Sequence, residues 1–159
     1  MRIAIFINFL LFKSSKLIFI FTIFATQMTI SYLFLFIAEI IGQENAFNGA
    51  DFSKLNTTEI FVITVIIAPI IETLVFQYGA IKISRKIVKN IHFQAFISAS
   101  LFAISHCYNF LYAMNILAAG LVFGYAFIIS EQRKYYPFWI IFFIHSLYNF
   151  HVFLIRTFL

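Results

Sequence analysis

The sequence predicts an all-α integral membrane protein: a helical bundle of about five transmembrane helices behind a short N-terminal interfacial helix. Three observations point there. Of 159 residues, 63% are hydrophobic and 11% charged, against roughly 45–50% and about 25% in soluble domains, so polar surface for a water-soluble fold is missing. The apolar residues run in blocks of about 20, the length that crosses a bilayer core as an α-helix. The bases fall between the blocks, at Lys13/Lys16, in the 82–89 stretch and at Arg133/Lys134, where cytoplasmic loops keep them. The net charge of +5 does not indicate nucleic acid, because the bases form no face interleaved with aromatics.

The elements follow in order. Residues 1–12 are apolar after Arg2 but stop at Lys13, too short to cross. They look like the front half of a signal peptide, yet no small-residue cleavage site follows, and a retained interfacial helix is expected. Residues 17–41 make the first span. Residues 42–59, with Glu44, Asp51 and Glu59 against Lys54 alone, make a loop. Residues 60–81 span again, with Glu72 the only charge. Lys82, Arg85, Lys86 and Lys89 then mix with Ile83, Ile87 and Ile91 at every fourth residue, the pattern of an amphipathic turn on an anionic membrane face.

The third span starts near Phe93 and ends between His106 and Asn109. The fourth covers 110–130, and the fifth starts at Pro137, a favoured first-turn residue, and runs to about Thr157. The positive-inside rule places the basic clusters in the cytoplasm and the acidic loop outside, with Arg156 snorkelling at the far end. The expected division is 1–57, holding the interfacial helix, first span and outer loop, and 58–159, a core of four spans. A short chain with no targeting segment suggests a prokaryotic inner membrane with the N-terminus cytoplasmic.

Three polar clusters interrupt the oil: Glu72 and Thr73 with Gln77, His106 after Phe102, and His145 with Asn149. Ionisable side chains at membrane depth are costly and therefore rarely accidental. Residues four apart share a helix face, which pairs Thr73 with Gln77 and His145 with Asn149 and puts Phe102 one turn behind the His106 ring. Pro69 removes a helical hydrogen bond, frees the carbonyl of Val65, and predicts a kink with water access beside Glu72. Counted from the basic loops, Glu72 lies about 15 Å deep, His145 about 12 Å and His106 about 20 Å. A shared site then requires the third span to tilt.

One glutamate, two histidines and an asparagine are an acid/base inventory. Hydrolysis fits it. Glu72 would act as general base on a water shared with a neutral His106, while His145 and the Asn149 amide donate to the oxyanion of a tetrahedral intermediate. Glu72, His106 and His145 are equally the ligand set of a catalytic zinc. The expected cofactor is therefore none or a divalent metal. A lone buried glutamate also suits a proton relay or a structural hydrogen bond.

The segments ETLVFQ (Glu72 to Gln77), FAISH (Phe102 to His106) and HSLYN (His145 to Asn149) resemble, in order and spacing, the EExxxR, FxxxH and HxxxN motifs of the CPBP intramembrane proteases. These are the CAAX proteases and bacteriocin-processing enzymes also called the Abi family. The resemblance covers about 59–153 and implies a membrane endopeptidase acting on a peptide or protein substrate. By position it makes Glu72 the catalytic glutamate, His106 the histidine that helps activate water, and His145 and Asn149 the oxyanion hole. Metalloprotease and metal-free glutamate mechanisms both remain open within it. The chain departs from the pattern at Thr73, where the family has a second Glu, and at Gln77, where it has Arg. The paired change predicts a neutral Thr73–Gln77 hydrogen bond in place of a buried ion pair, an exchange that is often energetically neutral.

Two readings from other classes use the same residues: a non-catalytic bacteriocin-immunity or partner-binding protein of the same fold, and a small proton-coupled carrier subunit working through Glu72. Elsewhere, Glu39 reads as solvated, His92 as interfacial, and His151 as turned about 120° away from His145. Cys107, the single cysteine, excludes an internal disulfide and reads as a packed thiol. Asn115 and the Gly120/Gly124 pair read as helix packing, the glycines admitting a neighbouring backbone.

Overall fold

A computed structural model describes residues 2–47 and 49–158, and these form helices and the turns between them. Helix α1 (Arg2–Asn8) passes into a π-helical turn over Phe9–Lys13. Ser15 caps α2 (Lys16–Ile40) by accepting from the Ile18 amide at 3.3 Å. A single 3-10 turn follows over Glu44–Phe47. Asn56 and Glu59 then start α3 (Thr57–Ser84) with a capping box, the Asn56 side chain accepting from the Glu59 amide at 3.0 Å and Glu59 from the Asn56 amide at 2.9 Å. Glu59 therefore belongs to the helix start rather than to the loop. Asn90 caps α4 (Ile91–Ser105), Asn109 caps α5 (Phe110–Gln132), and Pro137 opens α6 (Pro137–Phe158).

Helices α2, α3, α5 and α6 are long and apolar enough to cross a membrane. The expected third span departs from this. Helix α4 has 15 residues, about 22 Å of rise against roughly 30 Å of hydrocarbon. It ends because His106 leaves helical geometry (φ −120°, ψ 28°) and returns its amide to the Ala103 carbonyl at 3.1 Å, a tightened last turn. Helical geometry also stops at Ser84, and a turn covers 85–87. Ile83 and Ile87 face outward as expected, and Lys82 and Arg85 pair with Glu131 of α5.

The basic turns gather at one end of the bundle. Arg133 donates there to the carbonyls of Leu11 (3.0 Å) and Ser14 and to the Tyr135 hydroxyl, and lies over the rings of Phe19 and Tyr135. Arg85 also donates to Gln94 at 3.2 Å, and the Gln94 amide nitrogen donates to the Val88 carbonyl at 2.9 Å. At the opposite end Asn109 donates to the Ala46 carbonyl and Arg156 to that of Phe47, tying the acidic loop to α5 and α6. Between the two ends lies an apolar core of Phe19, Ile23, Ile81, Phe102, Phe123, Phe127, Ile141 and Ile144.

The α4–α5 seam is made by small residues. A Cβ on Gly120 would stand 2.8 Å from the Cα of Ala99, and one on Gly124 3.3 Å from the Cα of Ala95. This is the close backbone approach that the glycine pair predicts. Helix α3 is irregular. Two π-helical stretches, Val62–Ile67 and Thr73–Gly79, flank the α-helical turn Ala68–Glu72 that carries both Pro69 and Glu72. A wider turn before Pro69 gives the ring room against the carbonyl of Val65, so the predicted irregularity takes this form. Each π stretch also offers a carbonyl sideways: that of Thr64 accepts from Asn149 Nδ2 at 2.8 Å, and that of Phe76 from Ser98 Oγ at 2.9 Å.

Candidate active site

Three helices bring one carboxylate and two imidazoles together. His106 Nε2, from the end of α4, lies 3.5 Å from Glu72 Oε1, and His145 Nε2, on α6, lies 3.4 Å from Glu72 Oε2. Each ring addresses its own oxygen, at distances longer than a direct hydrogen bond prefers. The depth mismatch expected for His106 does not arise. Arg85 reaches Gln94, so the first turn of α4 lies beyond the level where α3 ends. From that rung His106 lies twelve residues forward and Glu72 thirteen back, roughly 18 and 20 Å. The two groups therefore meet, as a shared site requires.

Phe102 floors the site. Its ring centroid is 4.8 Å from that of His106 and 5.9 Å from that of His145, both edge-on, and Phe123 backs His145 at 5.0 Å. Phe102 thus packs behind His106, as its spacing predicts, and behind His145 as well. Exposure is uneven: the His145 side chain is 5% exposed, whereas those of Glu72 and His106 are each 19% exposed. A reactant can therefore reach the cluster from the Glu72–His106 side. The other ring nitrogens differ too. His106 Nδ1 lies 3.0 Å from the Phe102 carbonyl and 2.9 Å from Ser105 Oγ, whereas His145 Nδ1 is buried with no hydrogen-bond partner among the described residues.

The supporting residues are arranged differently from expectation. Asn149 shares the face of His145, but its amide nitrogen donates to the Thr64 carbonyl of α3. Thr73 and Gln77 are fully buried, and the predicted bond between them is not formed: Thr73 Oγ1, Gln77 Nε2 and Gln77 Oε1 have no hydrogen-bond partner among the described residues. Both sit on the π stretch Thr73–Gly79, where the wider turn takes Gln77 off the face that α-helical spacing assigns it. Cys107 is exposed rather than packed. His151 turns away to Tyr32 at 2.8 Å, as its helical angle predicts, and His92 pairs with the Tyr125 hydroxyl at 2.8 Å. Sequence reasoning missed Ser105 and Phe123. The first stood inside the FAISH segment beside His106, whereas the second was one phenylalanine among 24.

Glu72, His106 and His145 are the groups that would hold a divalent metal here. Among the described residues no group of three or more His, Cys, Asp or Glu side chains is disposed to hold a metal ion. The two imidazoles address different oxygens of Glu72.

Long apolar helices around a carboxylate–imidazole cluster define an integral membrane protein with ionisable groups in its interior. The match to known families agrees. Residues 54–151 match the family described as type II CAAX prenyl endopeptidase, Rce1-like. That stretch holds all three polar clusters and more than half of the chain, and the protein belongs to this family, one of peptidases. No curated protein and no solved structure matches the chain.

Proposed function

We propose that the protein is an intramembrane endopeptidase that hydrolyses a peptide bond with a water activated between Glu72 and His106. The observation that carries this reading is the convergence of Glu72, His106 and His145 from three helices, half open on the Glu72–His106 side and closed behind His145. Glu72 Oε1 and His106 Nε2 would both accept from the water. Its oxygen attacks the carbonyl carbon as a proton passes to Glu72, giving a tetrahedral intermediate. His145 Nε2–H, desolvated against Phe102 and Phe123, donates to the oxyanion in a setting where such a bond is strong. Asn149 gives one amide hydrogen to Thr64 and keeps a second for the same oxyanion. Glu72 then returns its proton to the amide nitrogen as the C–N bond breaks.

The substrate is a peptide or protein segment presented at the membrane. The basic end of the bundle faces the cytoplasm by the positive-inside rule, which sets the N-terminus inside. The test uses purified wild type, Glu72→Gln and His106→Ala, with prenylated and unprenylated carboxy-terminal peptides as substrates and metal content measured in each preparation. Cleavage by wild type that is lost at least about 10³-fold in Glu72→Gln, with thermal stability kept, is the expected result. Undiminished cleavage by Glu72→Gln refutes the mechanism. A wild-type phenotype in cells carrying that variant would turn the reading to a binding protein. Stoichiometric metal, with activity lost to a chelator, would restore the zinc mechanism.

A further inference from the structure

The two histidines of the site differ in what meets Nδ1, and the contacts that bear on His106 lie at the end of α4. In a continuing helix the Phe102 carbonyl would accept the backbone N–H of His106. Here that N–H bonds to Ala103 instead, at 3.1 Å, and the Phe102 carbonyl is released. Two groups take it up: Ser105 Oγ at 2.7 Å and His106 Nδ1 at 3.0 Å. The serine has one hydrogen to give. If it goes to Phe102, the 2.9 Å contact between Ser105 Oγ and His106 Nδ1 is one in which the serine accepts. If it went to Nδ1 instead, that nitrogen's lone pair would face the Phe102 carbonyl with no proton between them. Both neighbours of Nδ1 are therefore acceptors, and Nδ1 carries the hydrogen.

A neutral His106 then turns a bare Nε2 toward Glu72 Oε1, 3.5 Å away. Two acceptors at that distance repel unless they share a donor, a place that a water donating to both would fill. His145 is the reverse case. Its Nδ1 is buried without a partner among the described residues, a condition that a bare nitrogen tolerates better than an N–H. Its hydrogen therefore sits on Nε2, facing Glu72 Oε2.

We propose that Ser105, acting with the Phe102 carbonyl, is a positioning residue that fixes the tautomer of His106 so that Nε2 accepts from the attacking water. The assignment rests on the reading of His106 as the water-activating histidine, but its primary readout does not depend on activity. The full chain, labelled with ¹⁵N-histidine and placed in lipid nanodiscs, reports the tautomer through the ring-nitrogen chemical shifts, with His106→Gln assigning the signal. Wild-type His106 is expected to show protonated Nδ1 and bare Nε2. Ser105→Ala should shift population to the other tautomer and lower kcat about tenfold, the net worth of one hydrogen bond, with KM within about twofold. Ser105→Thr, which keeps the hydroxyl, should restore both.

A wild-type His106 protonated on Nε2 overturns the proposal. So does Ser105→Ala with tautomer and kcat unchanged. Should Ser105→Ala fail to fold, the wild-type spectrum and Ser105→Thr still decide. Full activity in His106→Ala, with the wild-type tautomer as described, would instead remove the parent reading and leave the assignment standing as structure alone.

Discussion

Gly120→Ala adds one methyl group where α5 meets α4. The new Cβ would stand 2.8 Å from the Cα of Ala99, 3.1 Å from its Cβ and 3.3 Å from its carbonyl oxygen. Carbon atoms settle at about 3.5–4.0 Å, so the seam must open by about 1 Å. The obstacle is backbone, and no rotamer change relieves it. Overpacking of this kind costs about 1–3 kcal/mol, which for a chain of this size is roughly 2–12 °C in Tm. Ala99 lies on the helix whose end carries His106, so the same displacement reaches the site. A misplacement of about 1 Å can cost about 10² in rate. Gly124→Ala meets Ala95 at 3.3 Å and needs a shift of only a few tenths of an ångström, so its effect should be smaller on both measures. Thermal unfolding of detergent-purified variants beside a cleavage assay reads both. A Gly120→Ala protein within about 1 °C of wild type, or a Gly124→Ala protein that is the worse of the two, would refute the packing argument.

Two further outcomes follow from the buried polar groups. Thr73→Val replaces a fully buried hydroxyl that has no partner among the described residues by a group of the same shape. Stability should stay level or rise by up to about 1 kcal/mol, and a fall beyond that in denaturant titration would reveal a bond to this hydroxyl. Asn149→Leu removes the donor to the Thr64 carbonyl. It should lower stability by about 1–3 kcal/mol by thermal or denaturant unfolding and, on the proposed mechanism, reduce kcat about 10²-fold or more; loss of stability with kcat intact would confine Asn149 to its structural bond.

The helices were legible because their signals are local: apolar blocks, the charged breaks between them, and Pro137 at the head of α6; the asparagine caps of α3, α4 and α5 emerged only with the structure. Glu72, His106, His145 and Phe102 were legible because polar residues in an apolar span are few and their spacing is regular. What escaped was register and pitch. Counting Glu72 from Lys82 set it about 5 Å too shallow against His106, since the rung that joins the two helices is a side-chain bond, Arg85 to Gln94, that no periodicity announces. The Thr73–Gln77 bond failed because 3.6 residues per turn was assumed across a π stretch. Cys107 was read as packed because the abrupt end of α4 one residue earlier is a matter of backbone hydrogen bonding at His106.

The two bonds onto the carbonyls of α3 have a mechanical consequence. Helix α6 delivers His145 to Glu72 and also hangs Asn149 on Thr64, while α4 delivers His106 and also hangs Ser98 on Phe76. Each helix that brings an imidazole is thus fastened to an α3 carbonyl as well, α6 before Glu72 in the chain and α4 after it. A slide of either helix along α3 must stretch a hydrogen bond to main chain before it can change an imidazole–carboxylate distance. A soft, greasy bundle in this way acquires a stiff gauge between its reacting groups.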